Sequence, residues 1–264
     1  MTDWMSVEEG RKAEGLRLVL TTGVPGPWGE AAKAIFHVKG LDCPRIPQFG
    51  GQANPELVDW TGENNAPQAI LGDERARTHW GEIIALGERL AADPPLIPER
   101  PDDRVLMFGL LNELAGEGGF GWQRRLMLFA PFMALPPEHP GRQSMASMCE
   151  RYGFSEESAE AAPSRVAEIL SLLGNQWQRQ SERGRKFLVG DRLSALDLYW
   201  AAFAALVEPL PQEDCPMPEM MRAGYSQEHP RIQAALDPAL MEHRQRIYED
   251  WLELPIDLGP GFKA

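Results

Sequence analysis

Two threonines, Thr21 and Thr22, follow the apolar run Leu16 to Leu20 and precede the rigid segment Gly23-Val24-Pro25-Gly26-Pro27. A hydroxyl at the end of a buried strand, beside a helix N-terminus, is placed to donate a hydrogen bond to an anion. The backbone N–H groups of Trp28 and Gly29 fall at the same place. The competing role for both hydroxyls is to end the strand and hold its turn. A second group is Ala66-Pro67, a proline at the start of an apolar strand, followed by His79-Trp80 at the start of a helix. His79 has the chemistry to meet a carboxylate, and equally to cap the helix it precedes. A third group is Phe120, Trp122, Met127, Phe129, Phe132 and Met133, with Arg124 and Arg125 among them. The apolar side chains suit the lining of an apolar pocket, and the two arginines suit contact with an anionic ligand there. Core packing and a solvated arginine pair are the plainer readings.

Other chemistry is disfavoured. The three cysteines, Cys43, Cys149 and Cys215, are odd in number and far apart, which suits neither a disulfide framework nor a zinc site. They fit a reducing cytoplasm. His37 falls on the first helix and is expected to be exposed; His139, His229 and His243 lack metal-ligand spacing, and no phosphate loop or Ser-His-Asp order is present. With 26 Lys and Arg against 39 Asp and Glu, the formal charge is −13. The basic residues are scattered, so neither nucleic acid nor an anionic membrane surface is an expected partner. The longest uncharged apolar run, Leu126 to Leu135, is far short of the ~20 residues that span a bilayer. The first fifteen residues carry acids and no apolar stretch, unlike a secretory signal.

The elements that must hold these residues read clearly. Leu16 to Leu20 predicts a buried strand. Trp28, Ala31, Ala32, Ile35 and Val38 recur at helical spacing, with Pro27 in the first turn and Gly40 as the stop. Gly50 to Asn65 reads as a polar loop. Ala66 to Leu71 reads as a strand that begins at a proline, and Thr78 to Leu90 as a helix. The stiff stretch Asp93 to Pro101 is the expected domain boundary. Beyond it the pattern is helical: Val105 to Ala115, Trp122 to Leu135, Gly141 to Tyr152 and Glu156 to Gly184. Ser194 three residues before Asp197 predicts a capping box, with Leu193 and Leu198 as its hydrophobic staple. The helix that follows is apolar all round and therefore central.

Gly26-Pro27-Trp28-Gly29-Glu30 through Lys39-Gly40-Leu41, Ala66-Pro67, and Phe187-Leu188-Val189-Gly190-Asp191-Arg192-Leu193-Ser194-Ala195-Leu196-Asp197 together resemble the glutathione S-transferase superfamily. The resemblance implies an α/β, thioredoxin-like N-terminal domain over 16–98 and an all-α domain over 99–252. A short extension, 1–15, and a tail, 253–264, flank them. It implies glutathione as cosubstrate, with Ala66 and Pro67 as the cis-proline turn that pairs with its cysteinyl backbone. Trp28, Gly29, His79 and Trp80 would complete that site, and Thr22 with Thr21 would stabilise the thiolate. Phe120, Trp122, Arg125 and Phe129 would line the pocket for a second, hydrophobic substrate. It also implies a cytoplasmic homodimer. Three departures from the family pattern stand out. No Ser, Cys or Tyr lies near Gly29; His79-Trp80 replaces an acid- or amide-serine pair; and Asn54 to Asn65 is long. Two functions stay open: a transferase acting on a hydrophobic electrophile, or a protein of this fold that has lost glutathione chemistry. The latter would serve as a binding or assembly module, or take another small acidic ligand.

Overall fold

A computed structural model describes residues 4–260. One mixed sheet lies at its N-terminal end, in the order β2 (Arg45–Gln48), β1 (Leu16–Thr21), β3 (Gln68–Leu71). β1 runs parallel to β2, with Val19 beside Ile46, and antiparallel to β3, with Leu18 beside Ala69. Alternation along β1 sets the two faces of the sheet. Leu16, Leu18 and Leu20 join the main core, beneath α2 (Pro27–Val38) and α4 (Trp80–Leu90). Val19 joins a smaller cluster with Ile46, Leu57 and Ile70 on the other face. Gly87 of α4 lets the helices pack closely, since a Cβ there would fall 2.8 Å from Ile35.

Three short elements depart from the sequence reading. The N-terminal extension contains α1 (Val7–Lys12), capped reciprocally by Ser6 and Glu9. The buried guanidinium of Arg17 donates to carbonyls at the end of α1, including Gly10, and to Gly72. Strand β2 is only four residues long and contains Pro47, so its sequence carries almost no strand signal. The expected loop Gly50 to Asn65 contains α3 (Pro55–Thr61), which starts on a proline and buries only Leu57. One apolar anchor in seven residues gives no periodicity to read.

No strand occurs among the described residues after Leu71. The helical body comprises α5 (Pro101–Ala115), α6 (Phe120–Met133), α7 (Pro140–Arg151), α8 (Glu156–Ser181), α9 (Ala195–Phe203), α10 (Glu219–Tyr225), α11 (Pro230–Ala235) and α12 (Pro238–Trp251). No described helix is long and apolar enough to cross a membrane. Every residue of α9 is buried, as its all-round apolar sequence requires. Leu252 to Gly259 then runs back over the N-terminal sheet. It buries Ile256 and Leu258, so it is part of the core and more than a tail.

Helix α9 is fastened by the Asp197 carboxylate. It accepts from the Ser194 N–H at 2.9 Å, the Ser194 hydroxyl at 2.7 Å and the Leu188 N–H at 2.8 Å. His243 Nε2 lies 2.8 Å from its other side. Arg246 donates to His243 Nδ1 at 2.6 Å, so the imidazole carries its proton on Nε2 and donates it to Asp197. The reciprocal capping box read from the sequence is present, and the Ser194 hydroxyl in addition donates to the carboxylate. Asp197→Ala would strand several buried donors and should cost about 3–5 kcal/mol. Ser194→Ala should cost ~0.5–2 kcal/mol, the usual loss for a cap residue. Denaturant midpoints test this ranking, and equal midpoints for the two variants would contradict it.

Candidate functional site

A cleft of about 420 Å³ opens between the sheet and the helical body. On the sheet side its lining includes Thr21, Gln48, Asn64, Asn65, Ala66 and Pro67, and on the other Arg125, Leu128, Phe129, Arg151, Tyr152 and Tyr225. The first residues of α2 lie at its base. Pro27 occupies the first helical position and Gly26 provides no capping side chain. The Glu30 N–H bonds to the Gly26 carbonyl at 2.9 Å. The N–H groups of Trp28 and Gly29 precede it in the turn where helix donors lack intrahelical partners, at the positive end of the helix dipole.

The Ala66–Pro67 peptide is cis, as the resemblance implied. Among the described residues, no hydrogen bond to another group occupies the Ala66 backbone N–H or C=O. Both therefore remain available to an extended ligand, in the manner of one more strand. Side-chain amides frame this edge. Asn54 donates to the Phe49 and Gln52 carbonyls and to Asn64 Oδ1, and Asn64 donates to the Gln52 carbonyl.

The two threonines part company. Thr21 lines the cleft, and its hydroxyl lies 2.7 Å from Gln48 Oε1. Gln48 Nε2 faces the Asn64 carbonyl at 3.1 Å, which can only accept, so the amide orientation is fixed. Thr21 must then donate to Gln48 and has no hydrogen left for a ligand. Thr22 is not among the residues that line the cleft. Its methyl faces the C-terminal segment, where a Cβ on Gly259 would come within 2.8 Å of it. The structure thus does not bring the proposed catalytic pair together at one point.

The remaining candidates also divide. Trp28, Gly29, Ala66 and Pro67 line the cleft. His79 and Trp80 do not. His79 caps α4, with Nδ1 accepting from the Gly81 N–H at 3.1 Å, and Trp80 is buried beside Phe108 and Tyr199. Of the aromatic group, Phe129 and Arg125 reach the cleft. Phe120 is fully buried against Trp200. Trp122 turns to Tyr152, donating to its carbonyl at 3.2 Å. The neighbouring arginines separate completely. Arg124 is buried and donates to the carbonyls of Leu206, Gly224 and Tyr225. Arg125 lies over the rings of Trp28 and Tyr152, at 4.5 Å and 4.2 Å from their centroids.

None of the three cysteines lines the cleft, and all are buried. Burial pushes the Cys43 thiol up to about 12 and the Cys215 thiol up to about 11, and it also raises Cys149. They are structural thiols, since the thiolate is the reactive form. Burial likewise raises the Tyr225 phenol to about 12. A sulfur nucleophile in this cleft must therefore arrive with a ligand.

No family model matches the chain, and no curated protein matches it by sequence. Solved structures match its shape. A glutathione S-transferase from Methylobacterium radiotolerans, in complex with glutathione sulfonate, aligns with a TM-score of 0.60 at 14% identity, covering 89% of this chain and 91% of that one. A rice glutathione S-transferase in complex with glutathione gives 0.59 at 16% identity, over 92% and 93%. A beta-etherase from a Sphingobium strain gives 0.57 at 17% identity, over 88% and 99%. The chain has the glutathione S-transferase fold. At such identities the likeness concerns architecture, and function must be argued from the site.

Sequence reasoning missed Gln48, Tyr152 and the C-terminal segment that borders this fold's cleft. Asp257 lies 212 residues from its ion-pair partner Arg45, and no local pattern could join them. Its carboxylate pairs with Arg45 at 2.7 Å and accepts from Trp4 Nε1 at 2.8 Å, while the Leu258 carbonyl accepts from the Gly23 N–H at 2.7 Å. Burial pushes the Asp257 pKa up. The Trp4 and Gly259 hydrogen bonds, with Arg45 and Lys33, outweigh it and leave the group below its ordinary value. A depressed carboxylate stabilises the fold above its unfolded-state pKa of ~3.9 and loses that contribution as pH falls through the lower folded-state value. The C-terminal segment should therefore loosen below pH ~4, seen as faster hydrogen exchange at Gly23. Asp257→Asn should exchange faster at neutral pH already; unchanged exchange in that variant would dissociate the ion pair from the segment's docking.

Proposed function

We propose that the cleft binds glutathione along Ala66 and Pro67 and presents its sulfur at the start of α2, for transfer to a hydrophobic electrophile. The observation that carries this reading is the juxtaposition of three features. The Ala66 backbone is unoccupied, the N-terminus of α2 has no side-chain cap, and both line one cleft. The chain's own thiols are buried and raised, so the attacking sulfur belongs to the ligand. The N–H groups of Trp28 and Gly29, with the helix dipole, stabilise the thiolate. A thiolate attacking an aryl halide forms the C–S bond as the C–halogen bond breaks, and the halide leaves with the electron pair. Leu128, Phe129 and Tyr225 supply an apolar wall for the electrophile.

One observation favours a second reading, binding without chemistry. The Thr21 hydroxyl is committed to Gln48, and Thr22 lies off the cleft, so no side-chain hydroxyl of this pair supports a thiolate. Calorimetry with glutathione separates the two from a third outcome. A Kd below about 1 mM, or roughly −4 kcal/mol, is expected. Turnover of an aryl halide then supports transfer, and binding without turnover supports the module. Thr22→Val should leave the pKa of the bound thiol unchanged. Gly29→Ser adds a donor at the helix start, with a Cβ 3.2 Å from Leu20 Cδ2 that a small shift can accommodate, and should lower that pKa. If the wild type binds no glutathione and Gly29→Ser gains none, both glutathione readings fail.

A further inference from the structure

Arg125 has no ion pair and no hydrogen bond to any other described residue except through its contacts with aromatic rings. Its guanidinium is half-buried, and burial lowers its pKa from the ordinary value. An arginine drawn out of water in this way is costly unless something compensates it. The rings of Trp28 and Tyr152 compensate part of that cost by attraction to their faces. The guanidinium carbon lies over both rings, 4.5 Å from the Trp28 centroid and 4.2 Å from that of Tyr152. Contact with ring faces engages none of the guanidinium N–H donors in a hydrogen bond, and their fork matches the two oxygens of a carboxylate.

The charge around the cleft points the same way. Its acidic lining residues are already engaged, Glu30 with Lys33 at 2.6 Å and Asp257 with Arg45 at 2.7 Å. Arg151, exposed on the same wall as Arg125, also has no ion pair among the described residues. The unneutralised charge of the cleft is therefore positive, in a chain of formal charge −13. Leu128, Phe129 and Tyr225 continue that wall as an apolar surface.

We infer that the second ligand of this cleft is a flat, apolar carboxylic acid, whose carboxylate is received by Arg125 beside the rings of Trp28 and Tyr152. This deepens the proposed reading by naming the class of second ligand, while its test needs no glutathione. The probes are 2-naphthoate and 2-naphthamide, nearly equal in shape and different in charge, titrated by calorimetry into the whole protein. Wild type should bind the naphthoate about tenfold tighter or more, the discrimination a charge-assisted hydrogen bond supplies. Raising the salt should weaken naphthoate binding and leave naphthamide binding nearly unchanged. Arg125→Met should remove the preference and Arg125→Lys should keep part of it, with thermal melting as the check that each variant folds. If the variants fail to fold, the wild-type preference and its salt dependence still decide. Equal affinity for both probes in wild type, no naphthoate binding at millimolar concentration, or a preference that survives Arg125→Met overturns the inference. Glutathione titrated into the same proteins separates the two claims. Absent glutathione binding with the naphthoate preference intact removes the transferase reading and leaves this one standing. Lost glutathione binding in Arg125→Met, with no naphthoate preference in wild type, assigns the guanidinium to a carboxylate of glutathione and overturns it.

Discussion

The carboxylate of Asp197 is the constraint from which the helical body takes its order. It is fully buried and joins three stretches of chain: the Phe187 to Leu193 turn, the start of α9 and the middle of α12. A buried charge without such partners would cost several kcal/mol. With them it fixes where α9 begins and which way it points. Trp200, three residues on, then donates to the Leu240 carbonyl at 3.0 Å and locks the same helices from a second side. Because α9 is buried on every face, it offers no slack, and whatever packs on its far end inherits its position.

What packs there is the cleft. Phe203, the last residue of α9, meets the Trp28 ring edge-on at 4.8 Å. Gly121 of α6 allows this, because a Cβ there would sit 2.6 Å from Phe203 and 2.7 Å from Trp28. Trp28 is held from a third direction by its Nε1 donating to the Ala115 carbonyl at 2.9 Å. One turn after Gly121, Arg125 consequently falls over the Trp28 face. A single line of contacts thus runs from the buried carboxylate to the unpaired cation. The rigid ring that supports Arg125 also marks the start of α2, so both halves of the cleft are aligned by one side chain.

Much of this was legible in the sequence where local pattern and tertiary role coincide. The Leu16 to Leu20 strand, the helix from Pro27, the Ala66-Pro67 turn and the Ser194–Asp197 cap are each written in adjacent residues. Strand β2 was not, since its four residues owe their conformation to pairing with β1 and not to their own propensity. The site was less legible than the fold. Arg124 and Arg125 are identical neighbours, yet a step of about 100° along a helix turns one to backbone carbonyls and the other to aromatic rings. His79 and Trp80 sit at a helix start in either reading, and only three-dimensional placement reveals that His79 faces solvent, Trp80 faces the core and neither lines the cleft. Thr21 and Thr22 alternate across a strand end, so one must face away from the cleft whatever their chemistry. Asp257 and Arg45 meet only because the chain's last described segment returns to its first sheet.

The missing hydroxyl is a smaller obstacle than it looks. A free thiol has a pKa of ~8.5, and half-ionisation at pH 7 requires a shift of ~1.5 units, or about 2 kcal/mol. A hydrogen bond to an ionised group is worth ~1.5–3 kcal/mol. A helix N-terminus adds ~0.3–1 kcal/mol, and more when partly buried. The N–H groups of Trp28 and Gly29 with the α2 dipole therefore suffice in magnitude, without any side-chain oxygen. Their geometry is also the more secure, because backbone donors in the first turn of a helix are oriented by the helix itself. A threonine hydroxyl rotates, and here the one that lines the cleft has turned to Gln48. What the sheet side contributes is thus direction and polarity from backbone, while the helical side contributes charge and aromatic surface. On the proposed reading, selectivity for the second ligand resides in α6 and its neighbours, and reactivity resides in the sulfur that the ligand brings.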